Sequence, residues 1–203
     1  MYTVKIRSSL KAGWSAFTRR PWYLMGIMLS FMTLFALSIG NAVITALAYI
    51  VYGGYIALML NHFRGGKVKF DDIFSIDNRW ISFAFLGLIK TILIMFGFIF
   101  FIIPGIYLAI RWMFAEILVI DKNMKPMEAL KASSVMVEGH YWKLFLFLLV
   151  TIFLMIIGTL ALIVGFVPAA LVILFTTIAI YENLKGALEP APAPVAPETP
   201  QVV

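Results

Sequence analysis

The feature that most constrains the fold is the long stretch 22–60, which contains no charged side chain. One membrane crossing takes about 20 residues, so this stretch is long enough for two helices and a turn. Apolar residues make up 63% of the 203-residue chain, more than a soluble domain of this size can hide from water. We therefore expect lipid to be the solvent for much of the protein.

Three further apolar blocks follow, at 81–120, 144–167 and 168–180. Gly and Asn tolerate left-handed backbone and Pro stops a helix, so turns are predicted at 38–41, at Pro104 and Gly105, and at 165–168. The predicted fold is all-α: a polytopic membrane helical bundle with six transmembrane helices in three hairpins. These helices are expected at about 23–39, 42–62, 80–102, 105–120, 142–164 and 167–185, within a transmembrane domain of residues 22–186. The Pro/Ala-rich residues 187–203 cannot bury a core and are predicted to form a disordered tail.

Charge segregation supports this count. The three predicted turns carry no charged residue, whereas lysines and arginines cluster before helix one, between helices two and three, between four and five, and after six. The positive-inside rule then places both termini in the cytoplasm. The net charge of +6 fits that membrane face better than a surface for nucleic acid, which is not expected as a partner. No cleavable signal peptide is predicted, because no small-residue cleavage site follows the first apolar run.

Two polar segments have a helical periodicity of their own. In the N-terminal segment, residues 1–21, apolar side chains recur at helical spacing beside basic ones, at Ile6, Leu10, Trp14 and Phe17. Between Pro126 and Gly139, one helical face gathers Met127, Leu130 and Val137. Short basic amphipathic helices of this kind tend to lie in the headgroup plane. The alternative is that each packs beneath the bundle as an ordinary solvated helix.

These two segments also resemble each other. Leu10, Lys11, Ala12, Trp22 and Leu24 match Leu130, Lys131, Ala132, Trp142 and Leu144. With Trp80 opening the middle pair of helices, the chain is interpreted as an internal repeat of an amphipathic segment, a tryptophan and a hairpin. The alternative needs no common ancestor, because Trp favours membrane interfaces in any case. Under both interpretations Trp22, Trp80 and Trp142 are expected to be interfacial anchors.

The stretch "FIIPGIYLAIRWMFAEILVIDKNMKPMEALKASSVMVEGHYWKLF", together with "TTIAIYENLKG" near the end, resembles a known family. It is similar to the membrane domain named after glycerophosphoryl diester phosphodiesterase, and to related bacterial six-helix membrane proteins. The resemblance covers about residues 5–186. It implies a bacterial cytoplasmic (inner) membrane protein without catalytic residues, because the named enzymes hold theirs in a separate soluble barrel.

The residues themselves also predict a protein that is not an enzyme and needs no cofactor. There is no phosphate-binding loop, zinc-protease motif or serine-hydrolase motif. His62 and His140 lack the further ligands that a metal site needs. The adjacent Asp71 and Asp72 suit a helix cap better than acid–base chemistry, and Glu182 is expected to face headgroups or a lysine.

Three charged residues fall inside the predicted helices. Lys90 and Glu116 are on neighbouring antiparallel helices, so an ion pair is expected, with snorkelling of Lys90 as the alternative. Arg111 is expected about 14 Å from the cytoplasmic end of a straight helix. Its side chain either snorkels outward along Tyr107 or points into the bundle. There it would act first as a structural clamp, on carbonyls at the Gly165 break or on Asn41, and second as a site for an anionic ligand such as a lipid phosphate.

The sequence therefore predicts a non-catalytic integral membrane protein, acting as a scaffold, assembly factor or accessory subunit. Its expected partners are membrane lipids, anionic ones above all, and either another membrane protein or a second copy. The alternative is a small transporter or lipid-translocating protein with a path between the repeats, which repeats and buried charges favour.

Overall fold

A computed structural model describes residues 4–37, 42–66, 79–100, 102–160 and 162–188, and within these ranges the protein is all-helical with no strand. The segment 67–78, with Asp71 and Asp72, and the predicted tail beyond residue 188 lie outside the described residues. The helices are α1 (Ile6–Thr18), α2 (Pro21–Leu37), α3 (Ala42–Phe63), α4 (Arg79–Phe100), α5 (Ile102–Arg111), α6 (Ala115–Lys122), α7 (Pro126–Val137), α8 (Tyr141–Leu160) and α9 (Leu162–Leu184), and a short 3-10 turn (Lys185–Leu188) follows.

Several of these helices are apolar enough to cross a membrane. Among the described residues, four helical stretches have the length and composition of a span: Ile81–Ile99, Ile102–Lys122, Tyr141–Leu160 and Gly165–Leu188. The pair α1 and α2, bent by 92° at their junction, would make a fifth if it is one broken span. α2 and α3 flank the predicted turn 38–41, which lies outside the described residues.

Burial divides the protein into two ends. The basal core, defined as α1, α6, α7 and the C-terminal halves of α3 and α9, contains most of the buried apolar side chains, with Met59, Phe114, Phe175 and Tyr181 among the largest. The outer helices α2, α4 and α8 bury residues near their starts and then expose large apolar side chains toward their far ends. Exposed apolar side chains on those far ends include Phe35, Leu37, Phe96, Ile99, Phe153 and Leu160. Lipid is the solvent that such surfaces require, whereas α1, α6 and α7 of the basal core carry exposed lysines and arginines.

Two of the predicted turns are displaced in the structure. Pro104 and Gly105 lie in the first turn of α5, because Pro costs nothing where the backbone N–H has no helical partner. Pro168 lies inside α9, which begins at Leu162, six residues before it. The helix therefore runs through the predicted turn 165–168 instead of starting after it.

Glycines bring the paired helices close together. A side chain on Gly97 in α4 would begin 2.9 Å from the Cα atom of Gly105 in α5. A side chain on Gly158 in α8 would meet the carbonyl oxygen of Gly165 and the side chain of Ala169 in α9, each at 3.0 Å. Small residues at such crossings let helix backbones approach where lipid supplies no hydrophobic drive for association.

The two amphipathic segments form the helices α1 and α7, and the face that α1 buries matches the predicted apolar face only in part. α1 packs along the C-terminal half of α9 with Ser9, Gly13, Ala16 and Phe17 buried, whereas Trp14 is 57% exposed. Small residues let the two helices approach closely, and the spacing of large apolar side chains does not reveal them. α7 packs against α6 and buries Ala129, Leu130, Ser133, Met136 and Val137.

Candidate functional site

Arg111 is the last residue of α5, and the chain leaves α-helical geometry over residues 112–114 before α6 begins. Its Nε atom donates to Ser134 Oγ over 2.9 Å, and its Nη1 atom donates to the Tyr107 hydroxyl over 3.3 Å. Its guanidinium carbon lies 5.9 Å from the centroid of the Tyr107 ring. The structure thus differs from the predicted straight helix 105–120, and Arg111 bonds Ser134 of α7 rather than the Gly165 break. The other predicted partner, Asn41, lies outside the described residues.

Ser133 fixes α7 at this helix break. Its Oγ atom donates to the Arg111 carbonyl over 2.9 Å and accepts from the Phe114 N–H over 3.2 Å. These two backbone groups lie where α5 ends and α6 begins, so neither has its usual helical partner. The arginine is therefore held at the junction of three helices by neighbours that are themselves fixed.

A cavity of about 640 Å³ opens beside Arg111. Its walls combine apolar side chains of α4 and α7 with polar and charged groups, and its lining includes Ile89, Leu93, Tyr107, Arg111, Lys131, Ser134, Glu138 and Tyr141. Arg111 and Lys131 contribute two positive charges and Glu138 one negative charge. The cavity therefore has a formal charge of +1 (2 − 1), a charge that suits a phosphate or another oxyanion. Of its hydroxyl groups, Ser134 donates to the Leu130 carbonyl and Tyr141 to the Tyr107 oxygen, and among the described residues the proton of Tyr107 is left for a ligand.

An apolar groove of about 470 Å³ adjoins this cavity. Tyr107 and Tyr141 line both spaces, with stacked rings whose centroids lie 5.1 Å apart and hydroxyl oxygens 3.3 Å apart. The rest of the groove lining is Ile103, Ile106, Ile110, Trp142 and Phe145. A charged cavity and a hydrocarbon-like groove thus meet at one pair of aromatic rings.

The ion pair predicted between Lys90 and Glu116 is present. Lys90 Nζ lies 2.9 Å from Glu116 Oε1, and the Tyr52 hydroxyl donates to Glu116 Oε2 over 3.1 Å. Glu116 also lines a second cavity of about 230 Å³, whose other walls are Phe31, Phe35, Ala48, Tyr49 and Tyr52. Both charged side chains are mostly shielded, with 17% and 21% of their surface exposed, so their mutual attraction is only partly screened.

A charged cluster that was not predicted joins the ends of three helices. Arg64, just after α3, holds Asp121 with two hydrogen bonds of 2.6 and 2.9 Å and donates to Glu182 over 2.8 Å. The Tyr181 hydroxyl donates to Asp121 over 2.6 Å, and Lys185 pairs with Glu182 as expected. In the sequence, the sign of this cluster is that α3, α6 and α9 each have a charged residue at or next to their C-terminal ends, which is compatible with a cluster where those ends meet.

The tryptophan anchors and the histidines whose side chains the structure describes do not line the cavity beside Arg111. Trp22 and Trp142 are each 83% exposed at the starts of α2 and α8, as interfacial anchors would be, and the side chain of Trp80 lies outside the described residues. His62 is buried with Nε2 3.0 Å from the Ala16 carbonyl oxygen, so it ties α3 to α1. In the part of the chain that the structure describes, no three histidine or acidic side chains gather as metal ligands.

The two matched segments have matched surroundings. At Ser9 and Ala129, Gly13 and Ser133, Ala16 and Met136, Leu24 and Leu144, both members of each pair are buried, and Trp22 and Trp142 are equally exposed. The contacts at Gly13 and Ser133 differ in kind. Gly13 has no side chain, and a Cβ atom there would lie 2.5 Å from Thr176 Oγ1 and 3.0 Å from the oxygen of Val172. Ser133 donates a hydrogen bond from its Oγ atom to the Arg111 carbonyl.

Comparisons of this chain with family models, with curated proteins and with solved structures found no match.

Proposed function

We propose that this protein is a non-catalytic integral membrane protein, acting as a scaffold or accessory subunit, that holds the anionic headgroup of a membrane lipid at Arg111. The proposal includes six spans in three hairpins, both termini in the cytoplasm, and an internal repeat. It also includes location in a bacterial inner membrane and kinship with the family that the sequence resembles.

The observation that carries the proposal is the cavity beside Arg111. Nε and Nη1 of the guanidinium have protein acceptors among the described residues, which uses two of its five N–H groups and leaves donors for a ligand. Lys131 adds a second cation at the cavity wall. Arginine is suited to phosphate because its planar fork can donate two parallel hydrogen bonds.

The contact of α7 with the helix break does not itself require a guanidinium. Ser133 Oγ bonds the backbone carbonyl of Arg111 and the backbone N–H of Phe114, and any residue at position 111 would offer that carbonyl. The guanidinium adds one bond to Ser134 and one to Tyr107. Its remaining N–H groups are available to a ligand in the cavity that it lines.

The test is lipid binding by the full chain in detergent or nanodiscs, with Arg111→Leu and Arg111→Lys. A hydrogen-bonded charge contributes about 1.5–3 kcal/mol, so Arg111→Leu should weaken phosphatidylglycerol binding about 10- to 100-fold. Arg111→Lys should recover part of that loss, since it keeps the charge but not the fork. Lys131→Gln should weaken binding about 5-fold, the equivalent of about 1 kcal/mol for a basic residue near the headgroups.

Lys11→Gln is the matched control, because Lys11 is the exposed counterpart of Lys131 in α1. It should leave lipid binding at this site unchanged. The proposal is overturned if Arg111→Leu remains folded and binds phosphatidylglycerol as the wild type does. A large loss of thermal stability without lipid in both Arg111 variants, with unchanged lipid binding, would support the structural clamp instead.

A second candidate is a transporter or lipid-translocating protein, and the Lys90–Glu116 pair favours it. Ionisable pairs inside membrane helices often mark a substrate path, and Glu116 lines an aromatic cavity between α2, α3 and α6. In proteoliposomes, this candidate predicts faster movement of a fluorescent phospholipid between leaflets than in empty liposomes, and loss of that rate in Glu116→Gln. Equal rates with and without protein would eliminate lipid translocation.

A further inference from the structure

The groove beside the Arg111 cavity has the chemistry of a hydrocarbon chain site. Its lining consists of apolar side chains of α5 and α8 together with Trp142 and the two shared tyrosines. Ile103 is 80% exposed and Trp142 83% exposed, so the outer edge of the groove is open toward the surrounding lipid. A lipid acyl chain could therefore enter the groove sideways from a bilayer, at its outer edge, without passing through the protein.

The two spaces adjoin at Tyr107 and Tyr141, which line both of them. The hydroxyl of Tyr107 accepts from Arg111 and from the Tyr141 hydroxyl, so the polar ends of this ring pair lie next to the charge of the cavity. A molecule with its charge at Arg111 would extend its apolar part past these rings toward Ile103 and Phe145.

The charges in the cavity limit which class of lipid headgroup it can bind. Arg111 and Lys131 suit a phosphate, whereas the carboxylate of Glu138 repels a second negative charge and accepts hydrogen bonds. A phosphodiester, with one negative charge, fits this balance better than a phosphomonoester with two. A headgroup with hydroxyl groups could also donate to Glu138, whereas choline has no N–H or O–H to donate and would bring a fixed positive charge beside Arg111 and Lys131.

Building on the proposed function, we infer that the cavity and the groove together bind one anionic phospholipid, a phosphodiester whose headgroup carries hydroxyl groups. Its phosphate lies on Arg111 and Lys131, and one acyl chain lies in the groove between α5 and α8. A bilayer already surrounds the acyl chain with hydrocarbon, so the groove adds shape-dependent packing and a fixed position rather than hydrophobic free energy. The inference is therefore tested by locating the acyl chain of the bound lipid.

The experiment uses the full chain in nanodiscs that contain a phosphatidylglycerol with a photoreactive diazirine in its acyl chain. After irradiation, peptide mapping should find crosslinks concentrated at the groove residues of α5 and α8. A phosphatidylcholine probe with the same chain should crosslink diffusely over the exposed apolar helices, as solvating lipid does. Free glycerophosphoglycerol, which is the phosphodiester headgroup without acyl chains, should compete weakly even at high concentration, since it lacks the acyl chain.

Two variants make the result specific. Ile103→Trp fills the groove from an exposed position and should remove the concentrated crosslinks, whereas Ile99→Trp, 70% exposed on α4, should leave them. Arg111→Leu should reduce the phosphatidylglycerol pattern to that of phosphatidylcholine. If Arg111→Leu weakens lipid binding but the wild-type crosslinks are diffuse, the groove is not the acyl-chain site, and the headgroup site at Arg111 is retained. If the groove crosslinks persist in Arg111→Leu and equally with phosphatidylcholine, both are wrong, and the groove holds only solvating lipid.

Discussion

Replacing Gly13 by alanine tests how closely α1 packs on α9. A Cβ atom at this position would lie 2.5 Å from Thr176 Oγ1, 2.9 Å from the Thr176 backbone nitrogen and 3.0 Å from the Val172 oxygen. Two of these three atoms belong to the backbone of α9, which cannot rotate away. The added methyl group must therefore push the two helices apart.

The size of the effect follows from two opposing contributions. Extra methyl groups in a well-packed contact cost about 1–3 kcal/mol. Alanine in place of glycine in a helix gains about 0.8–1 kcal/mol. The net result for Gly13→Ala is a loss of about 0–2 kcal/mol, which by itself could be too small to interpret.

Gly26→Ala supplies the matched control, because Gly26 lies within α2 and a Cβ atom there has no neighbour within 4 Å. This variant should keep the helical gain of about 0.8–1 kcal/mol without the clash. The difference between the two variants is then about 1–3 kcal/mol, or about 2–12 °C in melting temperature for a chain of this length.

Thermal unfolding in one detergent measures that difference. The seating of α1 can be followed separately, because the chain has no cysteine and Ser9 Oγ lies 3.4 Å from Asn183 Nδ2. A Ser9→Cys and Asn183→Cys pair should crosslink readily in the otherwise wild-type chain and less readily with Gly13→Ala. Equal melting temperatures for Gly13→Ala and Gly26→Ala, with equal crosslinking, would refute the close packing of α1 on α9.

Two further predictions concern the charged cluster and the topology. Arg64→Leu should lower the free energy of unfolding by about 1–3 kcal/mol, which is less than the loss from a fully buried pair because Arg64 is 38% exposed. Arg64→Lys should lower it by less, and Arg7→Leu, at an exposed position, should leave it unchanged. Thermal unfolding of the three variants shows whether Arg64 joins the helix ends. For topology, a cysteine in place of Asn41 should be labelled only from outside, and a tag after Val203 should be cytoplasmic; a tag found outside contradicts the proposed six spans.

Apolar composition and charge were sufficient to predict an all-helical chain with several helices apolar enough to cross a membrane, because such a helix is specified by length and hydropathy alone. They also predicted the Lys90–Glu116 contact, since antiparallel neighbours in a hairpin have a calculable axial offset. The displaced turns show the limit of this reasoning. Pro104 and Pro168 mark positions where a backbone N–H is not needed or can be lost, and such positions are not restricted to turns.

The surroundings of Arg111 could not be predicted, for two physical reasons. The helix break at 112–114 contains no glycine or proline, so no local signal distinguishes it from the helices on either side. The break is held instead by Ser133 of α7, a contact between segments that hydropathy places in different environments. Arg64 was counted only as a marker of the cytoplasmic side, because its link to Asp121 depends on how α3 and α6 converge in space.

The best argument that Arg111 binds a ligand comes from its hydrogen bonds. The contact of α7 with the helix break is made by Ser133, whose Oγ atom bonds the backbone carbonyl of Arg111 and the backbone N–H of Phe114. Any residue at position 111 would offer that carbonyl, so this contact does not need a guanidinium. Nε donates to Ser134 and Nη1 to Tyr107, which uses two of the five N–H groups of the guanidinium. The cavity that Arg111 lines, with Lys131 on its wall and an apolar groove next to it, is where the remaining donors can meet an anion.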